Sequence, residues 1–173
     1  MCERAFRGQF ALRCDPQDSA MLEAVESALG PPVPLAANTA STGKRNTVLW
    51  LGPDEWLIVT PPGREARIEK ALREAIGEGH AALTDVSDSR TVIGLSGRHA
   101  RDVLAKGCHL DLHPRAFGPG QCAQTAFARS HVLLHQTGKA PDYDIYVHRS
   151  FAAYLWAWLE DAAGEYGVAV VHE

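Results

Sequence analysis

One order of elements occurs twice along this chain, and it restricts the fold more than any other feature. A strand, a helix, a loop, paired strands and a second helix are predicted over residues 6–76, and again over residues 90–163. The segments DEWLIVTPPGREARIEKALREA (54–75) and DYDIYVHRSFAAYLWAWLEDA (142–162) take the same place in each half. Because their identity is low, the repeat is one of architecture. The sequence predicts one domain, residues 1–173, with two similar halves.

Hydrophobic periodicity and turn residues place the individual elements. Asp15 is expected to cap the first helix and Gly30 to end it. Four helices are predicted, at residues 16–29, 64–76, 98–106 and 150–163. Strands are predicted at residues 6–13, 47–51, 56–60, 81–86, 91–95, 124–129, 131–135 and 144–147, and a weak strand with a loop is expected within residues 33–46. Short loops join several of the strands, so we expect an α+β fold, mainly an antiparallel sheet with helices packed on it.

Composition excludes some classes of function. The net charge is −4 and the basic residues are scattered, whereas nucleic-acid binders carry a basic face. No apolar run reaches the roughly 20 residues that span a bilayer, and the chain opens without the apolar core of a signal peptide. The four cysteines form no C-x-x-C pair. We expect a cytoplasmic protein with reduced thiols and without nucleic-acid or membrane partners.

The stretch GCHLDLHP (107–114) is the strongest candidate for a metal site, since it holds a thiol, two imidazoles and a carboxylate. Gly107 is expected to end the preceding helix in the left-handed conformation, with the two leucines packing inward. His109, Asp111 and His113 then point to solvent. The spacing fixes no fourth ligand, so a solvated turn is favoured and no metal is expected.

Two other clusters of ionisable residues are weaker candidates for a metal site or a catalytic site. His131 and His135 share one face of a predicted strand, where structural histidines are favoured over a metal pair. Asp85, Asp88 and Arg90 lie between two strands and would suit acid–base chemistry. A turn held by local hydrogen bonds is the favoured interpretation, so no catalytic residue is predicted.

Three tryptophans are candidates for a partner interface. Trp50 and Trp56 lie in strands that are apolar on both faces, which requires cover by helices or by another chain. Trp156 falls on the outer side of the last helix, where an indole can anchor an interface. Cover by the C-terminal tail at residues 168–171 explains Trp156 equally well, so both alternatives stay open.

Four blocks carry a resemblance to a known family. They are LGPDEWLIV (51–59), DVSDSRTVIGLSG (85–97), GCHLDLHPRAFGPGQCAQT (107–125) and RSFAAYLWAWLEDAA (149–163). In this order they resemble the gamma, or smallest, subunit of heterotetrameric sarcosine oxidase. The resemblance is distinct from about residue 47 onward. It implies a fold similar to the folate-binding domain of aminomethyltransferases such as the glycine-cleavage T protein, a duplicated α+β arrangement.

The resemblance also implies a role in one-carbon metabolism. Enzymes of this kind oxidatively demethylate sarcosine to glycine, with hydrogen peroxide and either formaldehyde or methylenetetrahydrofolate as the other products. In such a complex FAD and FMN are held by the beta subunit and its alpha interface, and NAD and folate by alpha. The gamma subunit is the one without a cofactor, and its partners are the alpha, beta and delta subunits.

One departure from the aminomethyltransferases bears on function. Their domain carries an acidic residue near the folate, on a strand where this chain reads Ser130-His131. We therefore expect a non-catalytic structural subunit of a sarcosine oxidase complex. The alternative is a free-standing folate or small-molecule binding module of the aminomethyltransferase-domain type, for which the cofactor-binding residues are unknown.

Overall fold

The computed structural model describes residues 1–172. In these residues the strands are β1 (Cys2–Glu3), β2 (Gly8–Cys14), β3 (Ala40–Thr42), β4 (Thr47–Gly52), β5 (Glu55–Thr60), β6 (Ala81–Asp85), β7 (Arg90–Ser96), β8 (Cys122–Phe127), β9 (Ser130–Gln136), β10 (Asp142–His148) and β11 (Val171–His172). The helices are α1 (Ser19–Leu29), α2 (Glu65–Ile76), α3 (Ala100–Ala105) and α4 (Ala152–Ala163), the last preceded by a 3-10 turn at Arg149–Phe151.

The described chain divides into two compact units. The first unit is formed by residues 6–87, and the second by residues 1–5 together with the chain from residue 88 onward. The first unit contains a five-stranded sheet in the order β3-β4-β5-β2-β6, and the second a six-stranded sheet in the order β11-β1-β7-β10-β9-β8. All strand pairs are antiparallel except β1 with β11, which is parallel. The predicted α+β class with mainly antiparallel sheets is confirmed.

Both units repeat one topology. Each follows the order β-α-β-β-β-α-β along the chain, from β2 to β6 in the first unit and from β7 to β11 in the second. In spatial order the first sheet is β3-β4-β5-β2-β6 and the second, taken from its other edge, is β8-β9-β10-β7-β1-β11. Corresponding strands therefore occupy corresponding places, with β1 inserted once. The architectural duplication predicted from the sequence is confirmed.

Local capping explains where α1 begins. The side chain of Asp18 accepts a hydrogen bond from Met21 N at 3.0 Å, so Asp18 is the cap. The predicted cap, Asp15, is wrong because its carboxylate accepts a hydrogen bond from Gln17 N at 2.9 Å and so forms a separate turn. Gly30 ends the helix as predicted, with φ of 97° and its N–H bonded to the carbonyl of residue 26.

Each sheet buries one face under its helices. In the first unit the core of fully buried side chains includes Phe10, Leu12, Val25, Trp56, Ile58 and Leu72. In the second unit α3 and α4 cover a core that includes Leu104, Leu134, Ile145, Leu155 and Leu159. In the six-stranded sheet, the side chains that alternate with this core lie on a second face. Asp144 and His135, which are cross-strand partners, belong to that second face.

Candidate functional site

The tryptophan pair of the β4–β5 hairpin belongs largely to the first unit's core. Trp50 and Trp56 are cross-strand partners. Trp56 has no exposed area, and its indole N–H donates to the carbonyl of Pro34 at 2.7 Å. Trp50 is half-buried and packs against the same core. Trp56 is therefore a core residue that offers no surface to a partner, whereas Trp50 retains some exposed area.

Trp156 is half-buried and packs against the core of the second unit. The spacing of apolar residues in the sequence predicts that Phe151 and Tyr154 share the buried face of α4 with Leu155 and Leu159. This prediction is wrong at the start of the helix, since Phe151 is 44% exposed and Tyr154 is 39% exposed. The packed stripe instead centres on Leu155 and Leu159. The outward side of this helix therefore presents aromatic rings at its beginning, in addition to the remaining exposed part of Trp156.

Phe6 is an exposed aromatic residue that the sequence did not single out. Its side chain is 88% exposed and its backbone has φ of 55°. The left-handed conformation costs a non-glycine residue roughly 1 kcal/mol or more. Because the Phe6 ring is exposed to water, no burial of apolar surface offsets this cost within the chain. Neither feature shows in the sequence, because both depend on how β1 and β2 are connected.

The stretch at 107–114 is a turn, as predicted. Asp111 accepts a hydrogen bond from the backbone N–H of His113 at 2.9 Å, and His113 Nδ1 accepts one from Arg115 N at 3.2 Å. His109, Asp111 and His113 are exposed, while Leu112 is buried. In the part of the chain that the structure describes, no three His, Cys, Asp or Glu side chains are grouped to hold a metal ion.

Gly107 is required for a reason other than the predicted one. It is not in the left-handed conformation, and α3 ends at a helical Lys106. A Cβ on Gly107 would lie 2.7 Å from Cη2 of Trp158, which real Cβ atoms do not approach. Gly107 therefore allows the indole of α4 to cross directly over the backbone. Phe127 packs against the same indole in an edge-to-face contact, with ring centroids 4.9 Å apart.

Arg4 forms an ion-pair cluster on the second face of the six-stranded sheet. Its guanidinium pairs with Asp144 and, at 3.3 Å, with Asp142. The Arg4 and Asp144 side chains are 15% and 10% exposed. Gly94 makes room for it, because a Cβ there would lie 2.9 Å from Arg4 Nε and 2.6 Å from Cys2 Sγ. The sequence reasoning missed this cluster, although carboxylates two apart in a buried strand indicate a nearby cation.

His135 lies beside this ion pair, as the cross-strand partner of Asp144. It is only 3% exposed, and its Nδ1 has no hydrogen-bond partner. Burial, with a smaller contribution from Arg4, lowers the pKa of His135 to about 4, and Asp142 opposes the shift. The imidazole is therefore neutral at pH 7 and poorly suited to take up a proton. His131, at the other end of β9, is exposed.

The acidic turn after β6 is structural. Asp85 accepts hydrogen bonds from the N–H and hydroxyl of Ser87, at 2.9 and 2.6 Å. The Ser87 hydroxyl in turn accepts a hydrogen bond from Gln9 N at 3.0 Å. The predicted turn is confirmed, and this carboxylate is occupied by its own loop.

The cysteines are poor nucleophiles. All four are buried free thiols. Burial raises the pKa of Cys14 and of Cys108, so less thiolate forms at neutral pH. Of the helices in the described residues, none is long and apolar enough to cross a membrane.

A sequence model of the sarcosine oxidase gamma-subunit family matches residues 13–165. The chain belongs to this family. It is 39% identical, over 167 residues, to the sarcosine oxidase gamma subunit of Corynebacterium sp. (strain P-1), covering 95% of this chain and 79% of that one. The resemblance to the sarcosine oxidase gamma subunit, stated above from four sequence blocks, is therefore confirmed.

Two solved structures place the fold. Heterotetrameric sarcosine oxidase from Corynebacterium sp. U-96 contains a chain that matches with a TM-score of 0.88 and 35% identity, covering 98% of this chain and 85% of that one. The glycine cleavage system aminomethyltransferase T from Bartonella henselae matches with a TM-score of 0.71 and 14% identity, covering 99% of this chain and 46% of that one. The second match shows the fold alone, and it confirms the aminomethyltransferase-like architecture.

Proposed function

We propose that this chain is a non-catalytic assembly subunit of a sarcosine oxidase complex, which demethylates sarcosine oxidatively to glycine in one-carbon metabolism. The observation that carries the proposal is the match over 98% of the chain to a chain of a heterotetrameric sarcosine oxidase. Its partners in this proposal are the alpha, beta and delta subunits of a cytoplasmic complex. FAD, FMN, NAD and tetrahydrofolate are bound by those subunits, and none by this chain.

The ionisable groups described above support a structural role. Arg4 is paired with two carboxylates, and Asp85 is occupied by its own turn. His135 is buried in its neutral form, which suits a packed sheet better than proton transfer. A nucleophile would need an activating base within hydrogen-bond reach, whereas burial raises the pKa of Cys14 and Cys108.

Exposed aromatic groups support a role in association. Phe6 is the most exposed of the large apolar side chains that the structure describes, and Phe151 and Tyr154 lie together at the start of α4. Trp50 and Trp156 each keep part of their surface accessible. Aromatic residues are enriched at the centres of protein interfaces because they bury much area with few rotatable bonds. These residues are the proposed contacts with the larger subunits.

Reconstitution tests the proposal. The purified chain alone should produce no hydrogen peroxide from sarcosine, and mixing it with the other three subunits should give a stable complex that does. Turnover of sarcosine by the isolated chain would contradict the non-catalytic role. Failure of the chain to enter a complex that the other subunits form would contradict the assembly role.

The alternative function, a free-standing folate or small-molecule module, makes a different prediction. Strand β9 reads SHVLLHQ and supplies no carboxylate at the place where the aminomethyltransferases use one. Calorimetric titration of the chain with tetrahydrofolate separates the two functions. The assembly role predicts no heat of binding and no thermal shift at saturating ligand, and saturable one-to-one binding would favour the alternative.

A further inference from the structure

Basic side chains converge at one end of the five-stranded sheet, within the first unit. Strand pairing places Thr47, at the start of β4, beside Val59, and Gly8, at the start of β2, beside Thr60. The loop before β4 and the start of α2, which follows β5 after a short loop, therefore lie at the end of the sheet where β5 stops. They contribute the basic cluster, which consists of Arg45, Arg64 and Arg67.

The first turn of α2 holds an excess of positive charge. Arg64 occupies the N-cap position, and its side chain makes no capping hydrogen bond there. Arg67 lies in the same turn, where a cation opposes the helix dipole. Glu65 is the acidic residue of this turn, and its carboxylate accepts a hydrogen bond from Gly63 N at 3.1 Å. A helix that had only to fold would gain from the opposite choice, with polar caps and acidic residues at its beginning.

The guanidinium groups of the basic cluster are close enough to repel each other. Burial, and then the like charges of Arg45 and Arg67, lower the pKa of Arg64 below its usual value. Within the described residues the cluster forms no ion pair, whereas Arg73, at the other end of α2, pairs with Glu69 at 2.7 Å. Arg45 and Arg67 are exposed, and Arg64 is half-buried. Carboxylates supplied from outside the chain would offset the repulsion.

An exposed aromatic ring lies at the same end of the sheet. Phe6 is two residues before Gly8, so the Cα atoms of these two residues are at most about 7 Å apart. Gly8 in turn lies against the start of α2, because a Cβ there would be 2.7 Å from Cγ of Glu65. The Phe6 side chain is 88% exposed on a left-handed backbone. Arginine and aromatic side chains are enriched among the residues that dominate binding at protein interfaces.

Charge and shape together indicate what covers this surface. The whole chain carries a net charge of −4, so the basic cluster is a local exception that attracts an acidic group to one place. Arginine pairs with carboxylates through two parallel hydrogen bonds. The Phe6 ring would need an apolar pocket beside those carboxylates, which the surface of another protein can provide and a free inorganic anion cannot.

We propose that this end of the first unit docks an acidic segment of a partner subunit. Carboxylates of that segment pair with Arg45, Arg64 and Arg67, and Phe6 fills an apolar pocket beside them. The inference rests on the proposed assembly role and adds the chemistry by which the partner is recognised. Binding through such a surface should weaken as salt is added, because exposed charges are screened over about 10 Å at 0.1 M ionic strength.

Binding of the full-length chain to the other three subunits, measured by surface plasmon resonance at several salt concentrations, tests the proposal. The R64Q/R67Q variant should bind at least about tenfold more weakly and depend less on salt, and R64E/R67E should bind more weakly still. Thermal unfolding should show the isolated R64Q/R67Q chain to be at least as stable as the unaltered one, because two cations leave the helix N-terminus. The matched control is K70Q/R73Q, which removes two exposed positive charges farther along α2 and should bind as the unaltered chain does.

The outcomes separate this inference from the assembly role. If the folded R64Q/R67Q chain enters the complex with unchanged affinity and salt dependence, the docking surface is wrong while the assembly role stands. An equal loss of affinity in K70Q/R73Q would trace the effect to net charge and would also overturn the surface. Saturable binding of inorganic phosphate to the isolated chain, lost in R64Q/R67Q, would make the basic cluster a site for a free anion instead. If the unaltered chain fails to enter the complex, the assembly role and this inference fall together.

Discussion

Arg4 pairs with Asp144 across 140 positions of the sequence, and the pair fastens the start of the chain to the middle of the second unit's sheet. Both side chains are largely buried. The strand that precedes Arg4, β1, lies between β7 and β11. Residues 1–5 therefore complete the second unit, although the first unit follows them directly in sequence.

Breaking this pair should destabilise the chain substantially. The D144N variant leaves the Arg4 guanidinium with less compensation in a buried position, and the expected loss is about 2–4 kcal/mol of unfolding free energy. Urea denaturation followed by circular dichroism measures it. The control is R13Q, because Arg13 and Asp54 form an exposed pair at 3.0 Å; exposed pairs contribute less than about 1 kcal/mol. Equal effects of D144N and R13Q would contradict the structural role of the buried pair.

The contact between Gly107 and Trp158 should make any side chain at position 107 unfavourable. In G107A the new Cβ would meet the indole at 2.7 Å, and we expect a loss of about 1–3 kcal/mol from the forced repacking. Thermal unfolding measures the change. In G138A the nearest atom would be 3.7 Å away, so this control should change stability little. The second substitution W158L should recover part of the loss in G107A, and a simple sum of the two losses would contradict the contact.

The buried imidazole of His135 should make stability depend on pH. Its pKa in the folded chain is about 4, below the ordinary histidine value of 6.5, so the unfolded state binds more protons between these two values. The unfolding free energy should therefore fall as the pH drops through this window, by about 3 kcal/mol from this residue. The difference between the unaltered chain and H135Q isolates this contribution, because other groups titrate in both. A constant difference from pH 7 to pH 4 would contradict the low pKa.

Phe6 should strengthen binding to the larger subunits while lowering the stability of the isolated chain. Glycine adopts φ of 55° without strain, so F6G should leave the isolated chain equally stable or more stable by up to about 1 kcal/mol. The same change should weaken binding to the larger subunits at least about tenfold if the ring fills an interface pocket. F6N, which also tolerates this conformation, separates loss of the ring from relief of the backbone. Unchanged affinity in both variants would remove Phe6 from the interface.

Local patterns allowed most elements and the duplicated topology to be predicted. Short stretches of sequence are enough to predict the apolar stripe of α1, which ends at Gly30, and the strand β10. The Arg4 cluster was not predicted, because it depends on the pairing of strands that are far apart in the chain. Gly107 illustrates the same limit, since its partner, Trp158, lies on another helix.

The outer face of α4 was predicted in part only. A helical wheel places Phe151 and Tyr154 with the buried stripe, but the chain enters α4 through a 3-10 turn at Arg149–Phe151. A 3-10 helix has 3.0 residues per turn, whereas an α-helix has 3.6, so the side chains at the start of α4 point in other directions than an α-helical pattern predicts. Phe151 lies in this turn and is exposed; Tyr154, in the first turn of α4 itself, is also exposed. A sequence pattern that assumes one period cannot show this change.

Native mass spectrometry of the chain co-expressed with the alpha, beta and delta subunits is the sharpest test of the assembly role. We expect one major species whose mass includes one copy of this 173-residue chain and one copy of each of the other three subunits. Omitting this chain should lower the yield of the intact complex. A complex that forms in full yield without it, with this chain found only as a free monomer, would contradict the assembly role.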